Sequence, residues 1–483
     1  MRLETPNKIR DLQRGLYLKA KREPKFRFYL LQDKVWREDI VEHAYRLVRA
    51  NGGAPGIDGV TFQSIESGGG EAQFLSKLQQ ELKEKTYRAQ AVRRVYIPKG
   101  DGTNRPLGIP TIRDRVAQMA VKIVMEPIFE ADFEDCSFGF RPKKDAHQAV
   151  GVIREALNEG CPYVLDADLQ QYFDTIVHDK LMKLIAGRIS DRHILGWISQ
   201  WLRAPVVEED QAGKRRTKPT ERGTPQGGVI SPLLANIYLH LFDRVFLSYC
   251  RATGLKAHLV RYADDFVIVM RGGMKATEQK VKQVLARMEL KLNEEKSRVV
   301  DVRQVSFDFL GFTFARKKSV KTGRMITLVE PARKSEERFR NEVRVMTSRK
   351  SHCVAQEEVV ERVNRYVRGW VNYFHLHNST RVFVRQRFFL EQRMRKYLRG
   401  RRQIKGFGLR GWPPLDSIKS LGLLPFHSMP NTGELVCLEM KMIGKPYAGE
   451  PQVRFDEGEQ DFVLWKTLNG HEAGNGGYGQ GST

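Results

Sequence analysis

Two acidic segments carry the residue types from which a metal-dependent phosphoryl-transfer centre is built. In Val260-Arg-Tyr-Ala-Asp-Asp-Phe-Val-Ile-Val-Met270, apolar runs flank Tyr262, Ala263, Asp264 and Asp265. The runs read as strands and the middle as their turn. Neighbours on a straight strand point to opposite faces, but at a turn both acids can reach one site. Two unshielded carboxylates inside an apolar hairpin are costly unless a cation offsets them, and hard oxygen ligands suit Mg²⁺. A solvent-facing Asp-Asp turn is common, so this segment alone proves little. The second segment, Tyr163-Val-Leu-Asp-Ala-Asp-Leu-Gln-Gln-Tyr-Phe-Asp174, reads as a strand entering a turn. Leu165, Ala167 and Leu169 share one face, Asp166 and Asp168 the other, and spacing does not choose between the two acids. Joined, the segments suggest a two-metal site, with metals about 3.5–4 Å apart and bridged by carboxylates. One metal would activate a primer 3′-hydroxyl; the other would hold a triphosphate and the departing pyrophosphate. No protein nucleophile is needed, because positioning and charge neutralisation do most of the work.

These acids need a scaffold. Residues 60–320 mix short apolar strands with amphipathic helices, an α+β pattern. Residues 1–50 read as a basic, helical extension, followed by a turn-rich loop from Asn51 to Gly59. In Gly223-Thr-Pro-Gln-Gly-Gly-Val-Ile-Ser-Pro-Leu-Leu-Ala-Asn236 a glycine pair allows close backbone approach to a ligand. Ser231 can cap a helix with Pro232 in its first turn, and Ile230, Leu233, Leu234, Ile237 and Leu241 form one apolar face. From about residue 332 the pattern becomes helical. Between Arg381 and Arg410 eleven Lys or Arg residues accompany one acid, Glu391, with Phe383, Phe388, Phe389 and Tyr397 interleaved. The aromatics read as a core stripe. The cations, among them Arg385, Arg387, Arg393, Arg395 and Lys396, suit an RNA backbone. The segment from Pro446 onward is acidic, and residues 473–483 read as disordered.

The bulk composition agrees. Lys and Arg number 82 against 57 Asp and Glu, and the net charge of +25 calls for a polyanionic partner, nucleic acid before an anionic membrane surface. No apolar run approaches the roughly 20 residues of a membrane span, and the basic N-terminus lacks the apolar core of a signal peptide. A cytoplasmic protein is expected. Five scattered cysteines without a CxxC pair argue against disulfide and Cys-rich zinc frameworks.

Tyr262-Ala-Asp-Asp265 resembles the signature of reverse transcriptases, in the alanine form common among group II intron enzymes. Further blocks match in order across residues 51–375. Asn51 to Phe62 resembles an N-terminal block absent from the shorter retroviral enzymes. Tyr96-Ile-Pro-Lys-Gly-Asp-Gly-Thr-Asn-Arg-Pro-Leu-Gly-Ile-Pro110 resembles the fingers hairpin, and the resemblance implies that Lys99 and Arg105 contact the triphosphate. Ser137-Phe-Gly-Phe-Arg-Pro142 matches another fingers motif, with Arg141 expected to be structural or to face the template RNA. The family match selects Asp168 as a metal ligand beside Asp264 and Asp265, the last more peripheral. It also implies that Phe173 excludes a ribose 2′-hydroxyl and that Gln226 lies against the incoming nucleotide. Leu292-Asn-Glu-Glu-Lys-Ser297 and Phe309-Leu-Gly-Phe-Thr-Phe314 resemble later palm blocks, the second near the primer end. Arg362-Val-Asn-Arg-Tyr-Val-Arg-Gly-Trp-Val-Asn-Tyr-Phe374 resembles the thumb, or maturase, domain of intron proteins, with Val363, Tyr366, Val367, Trp370 and Phe374 as its core.

The resemblance implies a right-hand polymerase of α+β class. Fingers and palm would cover 51–320, a helical thumb/maturase domain 331–425, and a C-terminal segment 426–483. It implies two Mg²⁺ ions, dNTPs, an RNA template, a primer, and intron RNA whose splicing and mobility the protein would assist. The paired cysteines of an HNH endonuclease are missing, so none is expected, and mobility would use primers made elsewhere. The alternatives are a non-catalytic maturase, a reverse transcriptase recruited to repair, phage defence or spacer acquisition, and an RNA-dependent RNA polymerase, against which the bulk of Phe173 argues.

Overall fold

The computed structural model describes residues 3–68, 70–98, 104–209, 215–319, 323–403 and 422–423. Eleven strands occur among them: β1 (Val92–Pro98), β2 (Asn104–Ile109), β3 (Tyr163–Ala167), β4 (Val206–Glu209), β5 (Arg215–Lys218), β6 (Ala257–Tyr262), β7 (Asp265–Met270), β8 (Arg298–Asp301), β9 (Phe307–Phe309), β10 (Phe312–Lys318) and β11 (Met325–Pro331). They form three sheets, ordered β2-β1-β4-β5, β6-β7-β3-β8 and β11-β10-β9. The central sheet is antiparallel throughout, with β3 paired to β7 from Tyr163↔Met270 to Ala167↔Phe266.

The period of two along these strands divides the interior. Leu165, Ala167, Phe266 and Ile268 face one apolar cluster, whereas Val164, Val267 and Val269 face another. β7 is therefore covered on both sides, which is why it reads as a continuous apolar run. The first cluster holds the almost wholly buried helix Ile112–Glu130 and the helix Ser231–Thr253. The second joins the sheet to the C-terminal helices Arg333–Met346, Gln356–Phe374 and Thr380–Arg401 through Phe312, Phe314, Phe339, Trp370 and Phe374. The C-terminal helices thus share a core with the central sheet. Its rings meet at centroid separations of 4.8–5.0 Å (Phe339–Trp370, Trp370–Phe374, Phe312–Phe374), spacings at which aromatic pairs attract.

Residues 1–50 differ from a simple extension. The helices Asn7–Arg22 and Glu38–Asn51 bury Ile9, Leu16, Ala20, Val41, Ala44 and Tyr45 in the first cluster. Their basic residues hid this from a charge reading, because an amphipathic helix can be strongly basic on one face and apolar on the other. Two local expectations are corrected. Ser231 is the first residue of its helix rather than the cap, and its hydroxyl donates back to the Pro225 carbonyl at 2.9 Å. Leu241 is exposed, outside the apolar face assigned to it. Among the described residues no helix is long and apolar enough to cross a membrane. Lys99 and the acidic C-terminal segment lie outside the described residues.

Candidate active site

The Asp-Asp pair sits where the sequence pattern placed it. Tyr262 and Asp265 are the last paired residues of the β6–β7 hairpin, leaving Ala263 and Asp264 as a two-residue turn. Ala263 takes φ of 59°, a left-handed conformation that β-carbon sterics disfavour. A backbone clasp holds it there. Phe138 N–H donates to Arg261 O at 2.8 Å and Arg261 N–H donates to Cys136 O at 2.8 Å. The Ser137–Pro142 loop comes so close that a β-carbon on Gly139 would lie 2.4 Å from Ala263 N, so only glycine fits.

One residue past Ala167↔Phe266, the β3–β7 register sets Asp168 across from Asp265. The 292–297 block wraps around it. Asn293 Nδ2 donates to the Asp168 carboxylate at 3.2 Å, Lys296 Nζ lies 3.6 Å away, and Asp168 N–H donates to Ser297 Oγ at 3.2 Å. Asp166, on the same strand face, instead approaches Arg298 at 3.7 Å. The sequence alone gave no role to Asn293, Lys296 or Ser297; their block was visible, but their convergence on Asp168 depends on the Leu169↔Leu292 bridge.

The acids repel one another. Burial, then Asp264, Asp168 and Asp166, push the Asp265 carboxyl up to about 7. Burial raises Asp264 as well, with Asp168 adding to the shift and Arg105 opposing it. Burial and Asp168 raise Asp166 to about 6 against the pull of Arg298. Asp265 nonetheless opens onto the cleft, where solvent moderates these shifts. Among the described residues no three His, Cys, Asp or Glu side chains are already gathered as a metal cage. The donor set nevertheless suits hard divalent cations, being made of carboxylate oxygens that raise one another's pKa.

Asp265 borders a cleft of about 1250 Å³ between the β1–β2 sheet and the C-terminal helices. Phe173, Gln226, Tyr262 and Asp265 line it, as do Arg338 and Arg362 on the C-terminal helices. Gln226 is tethered through its carbonyl, which accepts from Gly108 N–H at 2.6 Å, while its buried Oε1 has no hydrogen-bond partner among the described residues. A buried acceptor left unpaired calls for a partner donor. Gly227, at φ of 110°, packs so tightly that a β-carbon would meet Gly108 O at 2.6 Å.

The basic residues separate into inward and outward sets. Arg141 is buried, chelates the Glu130 carboxylate (2.6 Å) and donates to the Glu134 and Ser137 carbonyls. Of its two expected roles, its geometry is structural, and as an RNA contact it is corrected. Arg393 is half-buried and donates to Thr347 Oγ1, Thr347 O and Arg344 O. Arg387 pairs with Glu391 at 3.2 Å and Arg395 is half-buried. Arg381, Arg385 and Lys396 remain exposed on one helical stripe with Val384 and Phe388; Arg385 also reaches Glu336 at 2.8 Å.

Comparison with known proteins bears on this arrangement. Residues 97–314 match the family "Reverse transcriptase (RNA-dependent DNA polymerase)", and residues 336–412 match "Group II intron, maturase-specific domain". The chain is 34% identical to Protein YkfC of Escherichia coli over 349 residues, covering 64% of this chain and 89% of that protein. It is 40% identical to the group II intron-encoded protein LtrA of Lactococcus lactis over 212 residues, covering 44% of this chain and 34% of that protein. A solved telomerase from Candida albicans aligns over 75% of this chain and 68% of its own at 13% identity, with a TM-score of 0.38. A polymerase of this kind generally uses divalent metal ions, and both matched domains imply nucleic-acid substrates. With its reverse transcriptase domain followed by a maturase domain, the chain belongs to the group II intron reverse transcriptase/maturase family.

Proposed function

We propose that the protein is an RNA-directed DNA polymerase with a two-Mg²⁺ centre at Asp168, Asp264 and Asp265, and that it binds group II intron RNA to assist splicing and mobility. The observation that supports this reading is the mutual repulsion of three carboxylates at the β6–β7 turn and the exit of β3, with Asp265 lining the same cleft as Gln226. Bound divalent cations would neutralise the triphosphate and make the primer 3′-hydroxyl a better nucleophile. Asp168 and Asp264 are the principal ligands in this reading and Asp265 the outer one. Asn293 and Lys296 hold the Asp168 carboxylate in place between turnovers. Arg105 and Lys99 attract the triphosphate, and Arg105 already acts on Asp264 electrostatically. Phe173 bars the 2′-hydroxyl, and Gln226 Oε1 receives a hydrogen-bond donor of the incoming nucleotide or its pair.

For the RNA face, the exposed Arg381, Arg385 and Lys396 track phosphates while Phe388 offers a ring to an unstacked base. We assign fingers and palm to 51–320 and the thumb/maturase region to 331–425.

Primer extension on poly(rA) with oligo(dT), dTTP and Mg²⁺ tests the central claim. Extension that requires Mg²⁺ and is abolished in Asp264→Ala is the expected result. Failure of the folded, RNA-binding wild type to extend any primer would overturn the polymerase reading in favour of a splicing function alone.

A further inference from the structure

Arg261 is the largest fully buried side chain in the described structure, and its partner Asp243 is equally inaccessible. Its Nε donates to Asp243 Oδ1 at 2.9 Å and its Nη2 donates to Asp243 Oδ2 at 2.5 Å. A charge pair needs no more than this to be satisfied. Nη1, however, points away from Asp243. It donates to the carbonyl of Ala263 at 3.0 Å and to Asn236 Oδ1 at 2.9 Å. Asn236 Nδ2 in turn donates to the Gly139 carbonyl at 2.8 Å.

Ala263 precedes Asp264 in the hairpin turn and holds a left-handed backbone. The Arg261 guanidinium fixes its carbonyl, while the glycine backbone at 139 bears on its nitrogen. A left-handed alanine persists only where its surroundings over-determine it. Asp243 and Asn236 both lie on the Ser231–Thr253 helix, whose first turn follows directly from the loop bearing Gln226. One guanidinium therefore ties the acid-bearing turn to the helix behind the nucleotide loop.

We infer that Arg261, oriented by Asp243 and Asn236, is a positioning residue that sets the backbone of the Ala263–Asp264 turn and so the placement of the two turn carboxylates. This inference rests on the polymerase reading for its kinetic consequence, but not for its effect on metal affinity. Lysine cannot replace this geometry, since a single ammonium cannot hold Asp243 bidentately and also reach Asn236 and Ala263. A buried ion pair exchanged for hydrophobic residues of similar volume commonly leaves a protein folded. The pair's role in folding can therefore be separated from its role at the turn.

The experiment compares wild type, Arg261→Lys and the double variant Arg261→Met/Asp243→Leu as full chains. Thermal unfolding, steady-state primer extension and Mn²⁺ binding followed by electron paramagnetic resonance are measured on each. Folded variants should keep the dNTP KM within about 3-fold while kcat falls about 100-fold, the cost of a misplaced reacting geometry. Their Mn²⁺ affinity should weaken about 10-fold, because misaligned carboxylates chelate poorly. A folded variant with wild-type kcat and Mn²⁺ affinity overturns the inference. Loss of folding in both variants also overturns it, since the pair would then serve the whole fold rather than the turn. Should the wild type fail to extend primers, the polymerase reading falls, and the Mn²⁺ titration alone decides this one.

Discussion

The carbonyl of Phe173 accepts a hydrogen bond from the Thr224 backbone N–H at 2.7 Å. Gly223 lies so close that a β-carbon there would meet Phe173 O at 2.7 Å. The main chain that carries this ring to the cleft is thus held by the loop bearing Gln226. Phe173→Val should raise rNTP incorporation relative to dNTP by about 50-fold, with dNTP use reduced far less. Competition of rTTP against dTTP in primer extension measures the ratio; an unchanged ratio would remove Phe173 from sugar selection.

The two acids of β3 and its exit should separate by function. Asp168→Asn is expected to lower kcat by a factor of about 1000 or more, because a metal ligand has lost its charge. Asp166→Asn should cost less than about 10-fold, since Asp166 is directed to Arg298. Single-turnover extension at saturating Mg²⁺ distinguishes the two, and equal losses would mean that both acids belong to the centre.

Arg141 and Lys396 should also behave as opposites. Arg141→Ala strands the buried Glu130 carboxylate and should destabilise the fold by about 3 kcal/mol, the usual cost of breaking a buried pair. Lys396→Ala, combined with Arg381→Ala, should leave the unfolding midpoint within about 1 °C. It should reduce the salt dependence of RNA binding by roughly one phosphate contact per cation removed. Denaturant unfolding and RNA titration over a range of KCl report the two quantities. An unchanged salt slope would exclude the Thr380–Arg401 stripe from the RNA interface.

His240 predicts part of the pH dependence. Burial holds its imidazole down to about 4, and its Nδ1 lacks a hydrogen-bond partner beside the Phe133 ring. The unfolded chain binds a proton near 6.5 that the folded chain refuses until about 4. Stability is therefore lost as pH falls through that window, by at most ~3 kcal/mol. His240→Phe should flatten the stability–pH curve between these limits; a curve as steep as wild type would place the acid sensitivity elsewhere.

Local spacing made much of this protein legible in its sequence. The β6–β7 hairpin, the apolar alternation of β3, the helix after Gln226 and the basic C-terminal helix each depend on contacts within a few residues or on a periodicity of 2 or 3.6. Strand and turn spacing marked the acids as candidates, and the family resemblance chose Asp168 over Asp166. Which partner answers each buried charge was not legible. Arg261, Arg141 and Arg393 all read from sequence as cations open to a partner, yet each donates to a group that the chain path brings near, namely Asp243, Glu130 and the end of the Arg333–Met346 helix. The sequence likewise left Asp166 and Asp168 on one face, and only the return of Asn293, Lys296 and Arg298 beside β3 gave them different neighbours. Periodicity encodes the face on which a side chain lies. The charge that meets it there is set by chain segments far away in sequence, and only tertiary packing brings these together.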